Sequence, residues 1–189
     1  MGVTSSKSNP NVFVPVDLQC SAAGILFFND THVLAGYQPH KTTPCMTGIG
    51  GCKEDGETAL QTAWRETTEE LFDCKNVPTN FIELCIQKFI PTEQFSRGDY
   101  ICYAYSFATL EAFLRLAKQE RIASAVYTTI PTTLLELLFT RQHSPTAEIS
   151  VLCVLPFLRQ TNGPLLVHEE FCMDMEQLAF HQTNCLNPK

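Results

Sequence analysis

The sequence predicts a single α/β layered domain, and three observations predict it. Its 189 residues match the length of one domain able to bury a core of its own. Apolar runs rich in aromatic and β-branched residues alternate with segments whose apolar residues recur at helical spacing, the pattern of strands interleaved with helices. No internal repeat or low-complexity tract interrupts them.

Residues 1–16 are polar and punctuated by prolines, and read as a flexible N-terminal arm. Residues 17–160 read as the folded domain, and 161–189 as a C-terminal segment with a helix packing on it. The run CSAAGILFF at 20–28 is strand-like, and the polar turn Asn29-Asp30-Thr31 joins it to a second apolar run at 33–37, which predicts a hairpin. Residues 38–44 are a loop with His40 and Lys41 at its middle, and MTGIGG at 46–51 a short strand ending on a glycine pair. The spacing predicts a helix over 58–72: Leu60, Ala63, Trp64, Thr67 and Leu71 form one stripe. Aromatic and β-branched content predicts strands at 81–90 and 100–108, separated by a loop holding Glu93, Arg97, Gly98 and Asp99. Residues 110–122 carry helical spacing, 125–130 look like a strand, and 131–141 like a helix opened by proline. A strand at 149–158, a break at Thr161-Asn162-Gly163-Pro164 and a helix at 169–180 complete the order.

Composition excludes several classes. No window approaches eighteen uninterrupted apolar residues, so no transmembrane helix is expected. Residues 1–10 contain no stretch resembling a secretory signal. A cytoplasmic location is therefore expected, with the nucleus open. The nine cysteines are scattered, without a CxxC pair or histidines at zinc spacing, and read as reduced thiols. A net charge of −7 gives no general attraction for nucleic acid or anionic membrane.

That charge is uneven. Residues 53–73 hold seven acids (Glu54, Asp55, Glu57, Glu66, Glu69, Glu70, Asp73) against Lys53 and Arg65, so −5 of the −7 sits in one short stretch. Glu66, Glu69 and Glu70 fall at i, i+3, i+4, on one helix face. Crowded carboxylates repel, and oxygen-loving cations such as Mg²⁺ or Mn²⁺ relieve the repulsion. By itself, a glutamate-rich helix face is more often simply solvated.

The whole string changes those odds. Residues 50–73, GGCKEDGETALQTAWRETTEELFD, resemble the Nudix box of the Nudix hydrolases. Gly51, Glu57, Arg65, Glu66, Glu69 and Glu70 match it at the required spacing. Three positions depart: Thr67 stands where the family prefers an aliphatic residue, Phe72 replaces the helix-ending glycine, and Asp73 an apolar residue, leaving Asn76 as a candidate left-handed cap. Beyond the box the likeness is looser and spans about 18–160. It implies a Nudix-type α/β/α sandwich with a mixed β-sheet.

It also implies roles. Glu66, Glu69 and Glu70, with the Gly50 carbonyl, would hold divalent cations against a substrate diphosphate, while Arg65 and Glu57 would orient the ligands. A helix-capping role for Glu57 is equally consistent with its position. Glu120, before the expected late strand, is the first candidate for the general base. Glu93, Glu148 and the box residue Glu69 are the alternatives. Lys53, His40, Lys41 and Arg97 are candidates for touching phosphate, and Tyr37, Phe89, Phe95 and Tyr103 for stacking a base; such residues are more often ordinary surface charges and core aromatics.

The function implied is hydrolysis of a nucleoside diphosphate linked to another group, the substrate being a nucleotide or a capped RNA. A catalytically weak Nudix-like module binding nucleotide or RNA is the alternative, disfavoured because all the box carboxylates are present. Separately, the start Met1-Gly2-Val3-Thr4-Ser5-Ser6 fits an N-myristoylation pattern at Gly2, which alone would give only weak membrane contact.

Overall fold

The computed structural model describes residues 20–157 and 166–186, the last six by backbone alone. The arm at 1–16, with Gly2, and the break at 161–164 lie outside the described residues. The elements run β1 (Ala22–Phe28), β2 (His32–Gln38), β3 (Cys45–Thr47), β4 (Ile49–Cys52), α1 (Ala59–Phe72), α2 (Thr79–Lys88), β5 (Glu93–Arg97), β6 (Tyr100–Ser106), α3 (Phe107–Gln119), α4 (Leu134–Phe139), β7 (Val151–Pro156) and α5 (Glu169–Leu186).

The seven strands form one mixed sheet. β1 runs parallel to β6 along its whole length, and its other edge pairs antiparallel with β4 (Gly24 opposite Gly50) and, at Phe28, with β2. β2 also carries β3 and β7, and β5 closes the far edge against β6. Strand alternation then assigns the two faces. Ala23, Ile25 and Phe27 of β1, with Ile101, Tyr103 and Tyr105 of β6, pack against α1, α2, α3 and α4. Leu26, Phe28, Cys102 and Ala104 face the other way, toward Phe171 and Leu178 of α5. The result is the expected α/β/α sandwich.

α1 is fastened to the sheet by Trp64, fully buried, whose ring lies 5.1–6.3 Å from those of Phe27, Phe89, Phe113 and Tyr105. Its start is a capping box: Thr58 Oγ1 accepts from the Gln61 N–H at 3.3 Å, and Gln61 Oε1 from the Thr58 N–H at 2.7 Å. Its end is a left-handed turn at Asp73 (φ 50°, ψ 48°), not at Asn76. Aspartate is among the few residues that tolerate this conformation. The carbonyls freed at this end are taken up from outside the helix, Phe72 by the Ser124 hydroxyl and Ala125 N–H, and Glu70 and Leu71 by the Arg141 guanidinium.

Four expectations are corrected. The segment expected as a strand at 81–90 is helix α2, because Phe81, Ile82 and Cys85 form one helical face on the core and Pro78 starts it. No strand forms at 125–130: Val126 and Tyr127 are buried, but their neighbourhood bonds to the end of α1 and to Gln142 instead of joining the sheet. The loop expected around Glu93 and Arg97 is strand β5, turned into β6 at Gly98 (φ 60°). The helix opened by Pro131 is shorter, capped by Thr133. Among the described residues no helix is long and apolar enough to cross a membrane.

Candidate active site

The glutamates of α1 divide between a salt-bridge cage and a buried corner. Arg65 is the centre of the cage. Its Nε and Nη2 grip Glu57 side-on at 2.7 and 3.2 Å, its Nη1 reaches Glu66 at 2.9 Å and Glu69 at 2.8 Å, and Nη2 also bonds the Cys52 carbonyl at 2.7 Å. Five donor contacts from one fork-shaped group lock the β4–α1 loop onto the helix. Glu57 receives further bonds from Thr62 Oγ1 (2.8 Å) and the Glu54 N–H (3.0 Å). It braces Arg65, while the cap belongs to Thr58.

Glu70 occupies the corner, 5% exposed. Its Oε2 accepts from the Gly50 N–H at 2.9 Å and its Oε1 from Gln38 Nε2 at 3.2 Å. The same Gln38 nitrogen donates to Glu148 at 2.9 Å. Glu66, Glu69, Glu70 and Glu148 thus line one open pocket of about 290 Å³, with Lys75 and Thr146 at its rim. A larger hollow of about 600 Å³ lies between β5 and α5 but lacks this chemistry, so size does not choose the site.

Close backbone approach is required here. A Cβ on Gly51 would fall 2.6 Å from the Glu66 carboxylate, and one on Gly50 (φ 153°) 2.5 Å from the Gly24 Cα. Glycines at both positions let β4 pass against β1 and under the helix.

The charges are incompletely balanced. Burial pushes Glu66 up to about 7 against the opposing pull of Arg65. Burial also raises Glu69, and raises Glu70 well above the ordinary range, with Glu148 adding repulsion and Lys41 a weaker attraction. Burial would raise Glu57 too, but its bonds from Arg65, Glu54 and Thr62 together hold it below the usual value. The donors are all oxygen, and their unbalanced charge suits a hard divalent cation. By donor chemistry the residues fit such a group. Among the described residues no three ligating side chains already converge on a common point, since Arg65 holds Glu66 and Glu69 while Gly50 and Gln38 hold Glu70.

The structure therefore brings together Glu57, Arg65, Glu66, Glu69, Glu70 and Gly50. Lys53 follows β4 directly, half-buried, with its N–H on the Ser21 carbonyl. Other expected residues lie elsewhere. Glu120 is the exposed C-cap of α3 and does not line the carboxylate pocket. Arg97 is engaged by α5, 3.1 Å from Glu170 and 3.3 Å from the buried Asp174, with its guanidinium over the Tyr100 ring. Tyr37 packs on the α5 face, because its neighbour Gln38, one step along β2, faces α1. Phe89 and Tyr103 are core on the α1 face, and Phe95 on the α5 face.

Two residues escaped the sequence reading. Arg141 joins the Glu70 and Ile149 carbonyls, at 3.1 and 2.6 Å, and so ties the end of α1 to the residue following Glu148. Gln38 is 3% exposed, and its Oε1 has no hydrogen-bond partner, an omission costing about 1–3 kcal/mol for a buried acceptor.

No family model matches the chain, and no curated protein does. Solved structures similar to it include a NUDIX hydrolase from Nitrosomonas europaea, 13% identical over 86% of this chain and 88% of that one, with a TM-score of 0.43. A Nudix hydrolase from M. smegmatis, RenU, is 14% identical over 88% of each chain, with a TM-score of 0.42. A bifunctional NMN adenylyltransferase/ADP ribose pyrophosphatase from Francisella tularensis, complexed with AMP and a Mn ion, is 15% identical over 87% of this chain and 42% of that one, with a TM-score of 0.38.

Proposed function

We propose that this chain is a Nudix hydrolase, a divalent-metal-dependent pyrophosphohydrolase that splits a nucleoside diphosphate linked to another group into a nucleotide and a phosphorylated product. One observation carries the reading. The six residues that match the box in register, Gly51, Glu57, Arg65, Glu66, Glu69 and Glu70, are also assembled in space around Arg65 and one carboxylate pocket.

In this reading Glu66, Glu69, Glu70 and the Gly50 carbonyl hold Mg²⁺ or Mn²⁺. When bound, such a cation neutralises phosphate oxygens and acidifies the attacking water. The protein's own groups do the rest. Arg65, braced by Glu57, fixes the Glu66 and Glu69 rotamers, so their positioning is paid for during folding. Lys41, whose field reaches Glu70, and Lys53 receive the phosphates. Glu148, in place of Glu120, accepts the proton of the attacking water, because it lies on the same pocket as the ligand carboxylates. A small nucleotide is favoured over long capped RNA, since the net charge of −7 repels a polyanion.

The test is single-turnover hydrolysis of a panel of (d)NTPs, dinucleotides, nucleotide sugars and capped RNA in Mg²⁺ or Mn²⁺. The expected result is cation-dependent cleavage of a nucleotide, slowed about 10²–10⁴-fold by Glu148→Gln and within twofold of wild type for Glu120→Gln. A slow Glu120→Gln beside an unaffected Glu148→Gln would return the base to Glu120. No cleavage of any substrate would leave the binding-module reading.

A further inference from the structure

Gln38 is a buried side chain, not itself an acid, that touches both Glu70 and Glu148 of the carboxylate pocket. Its Nε2 lies 3.2 Å from Glu70 Oε1, on α1, and 2.9 Å from Glu148 Oε1, on the segment before β7. The amide orientation follows from charge, since the flipped rotamer would set its oxygen against two carboxylates. Both amide protons are therefore available to acids from different elements, and only the side chain's own acceptor is left over. An apolar side chain of equal length would fill the same space without burying an unpaired acceptor. As packing alone, the amide is a poor choice. As a spacer between two mutually repelling acids, it does what an apolar group cannot.

We infer that Gln38 is a positioning residue, holding Glu148 at a set separation from Glu70 so that the proton acceptor and the cation-holding corner act on the same water. This rests on the metal-dependent hydrolase reading above. It adds a residue outside the box, on β2, whose effect on kcat passes through Glu148 and whose effect on cation affinity passes through Glu70. Arg141 supports the same segment from behind through the Ile149 carbonyl, so Gln38 sets the side chain of Glu148 while Arg141 sets its backbone.

The experiment is a double-mutant cycle with metal titration. Gln38→Met removes both donors at similar volume. At saturating Mn²⁺ it should lower kcat about 10–100-fold, the usual scale for partners standing behind ligating and reacting groups, and leave KM within threefold. Mn²⁺ binding to the substrate-free protein, followed by electron paramagnetic resonance, should weaken about tenfold because Glu70 loses a partner. In a Glu148→Gln background the same substitution should change kcat by less than threefold. Equal losses in both backgrounds, or kcat and Mn²⁺ affinity within twofold of wild type, overturn the inference. If Gln38→Met does not fold, Gln38→Asn replaces it: the amide is kept but falls one methylene short, and wild-type kcat and Mn²⁺ affinity there overturn the inference equally. Failure of the underlying reading looks different, since either no substrate is then cleaved by the wild type, or Glu69→Gln and Glu70→Gln retain full activity whatever Gln38 does.

Discussion

A single methyl group at Gly51 should separate activity from stability. The Cβ of Gly51→Ala would sit 2.6 Å from the Cδ and both oxygens of Glu66, where ordinary contact needs roughly 3.5 Å. Something must move by about 1 Å. The obstacle is the free end of a side chain, so the fold can yield by turning the carboxylate, and the substitution also removes unfolded-state freedom worth about 0.4–1 kcal/mol. The net change in stability should be under about 1 kcal/mol. The catalytic cost is larger, because a 1 Å misplacement of a working group costs on the order of 10²-fold. Gly50→Ala is the matched control. Its Cβ meets the Gly24 Cα at 2.5 Å and the Ala23 carbonyl at 2.7 Å, in a backbone with φ 153°. Backbone cannot step aside, so about 3 kcal/mol or more should be lost. Urea denaturation and single-turnover hydrolysis of both variants supply the two readings. A Gly51→Ala protein as active as wild type would refute the placement of Glu66 in the catalytic machinery; one that unfolds like Gly50→Ala would show that the Glu66 carboxylate cannot turn aside.

The metal-free protein should gain stability on mild acidification. Glu66 is raised to about 7, so the folded state binds its proton more tightly than the unfolded chain does, and stability falls as pH rises from about 4.5 to 7. The gap is worth about 3 kcal/mol, cut to about 2 by solvent screening of a side chain near the surface. Raised Glu69 and Glu70 act in the same direction, while lowered Glu57 opposes them only below its ordinary value. Melting temperatures at pH 6 and pH 8 check this: the higher value should be at pH 6, and saturating Mg²⁺ should close the difference. Arg97→Gln should leave kcat and KM within twofold but lower the melting temperature by about 4–8 °C, the equivalent of about 2 kcal/mol, because Asp174 is left buried without its cation. Asp174→Asn in the same chain should recover most of that loss, and a raised KM for Arg97→Gln would restore a substrate role.

The helix and its chemistry were legible because both are written locally. Leu60, Ala63, Trp64 and Leu71 mark the buried stripe, and the acids at i, i+3, i+4 share a face whatever the rest of the chain does. The rest depended on distant partners. Phe81, Ile82 and Cys85 suit either a strand or a helix by composition, and only the α1 surface they pack on selects the helix. Glu120 and Glu148 stand at similar distances in sequence before late apolar segments. The segment after Glu120 never joins the sheet, whereas β7 pairs with β2 and carries Glu148 to Gln38. Arg97 reads as a loop cation until α5 brings Asp174 against it. Tyr37 and Gln38 differ by one strand position, and only the register of β2 in the sheet decides that the amide, not the aromatic, faces the acids.

If the carboxylates of α1 are a cation site, a crystal of the protein soaked in Mn²⁺, with anomalous scattering recorded at the manganese edge, will locate the ion. Anomalous peaks are expected within about 2.0–2.4 Å of oxygens from Glu66, Glu69 and Glu70, with the Gly50 carbonyl nearby and Arg65 still bound to Glu57. Full manganese occupancy elsewhere on the chain, with no peak at these three glutamates, would contradict that assignment.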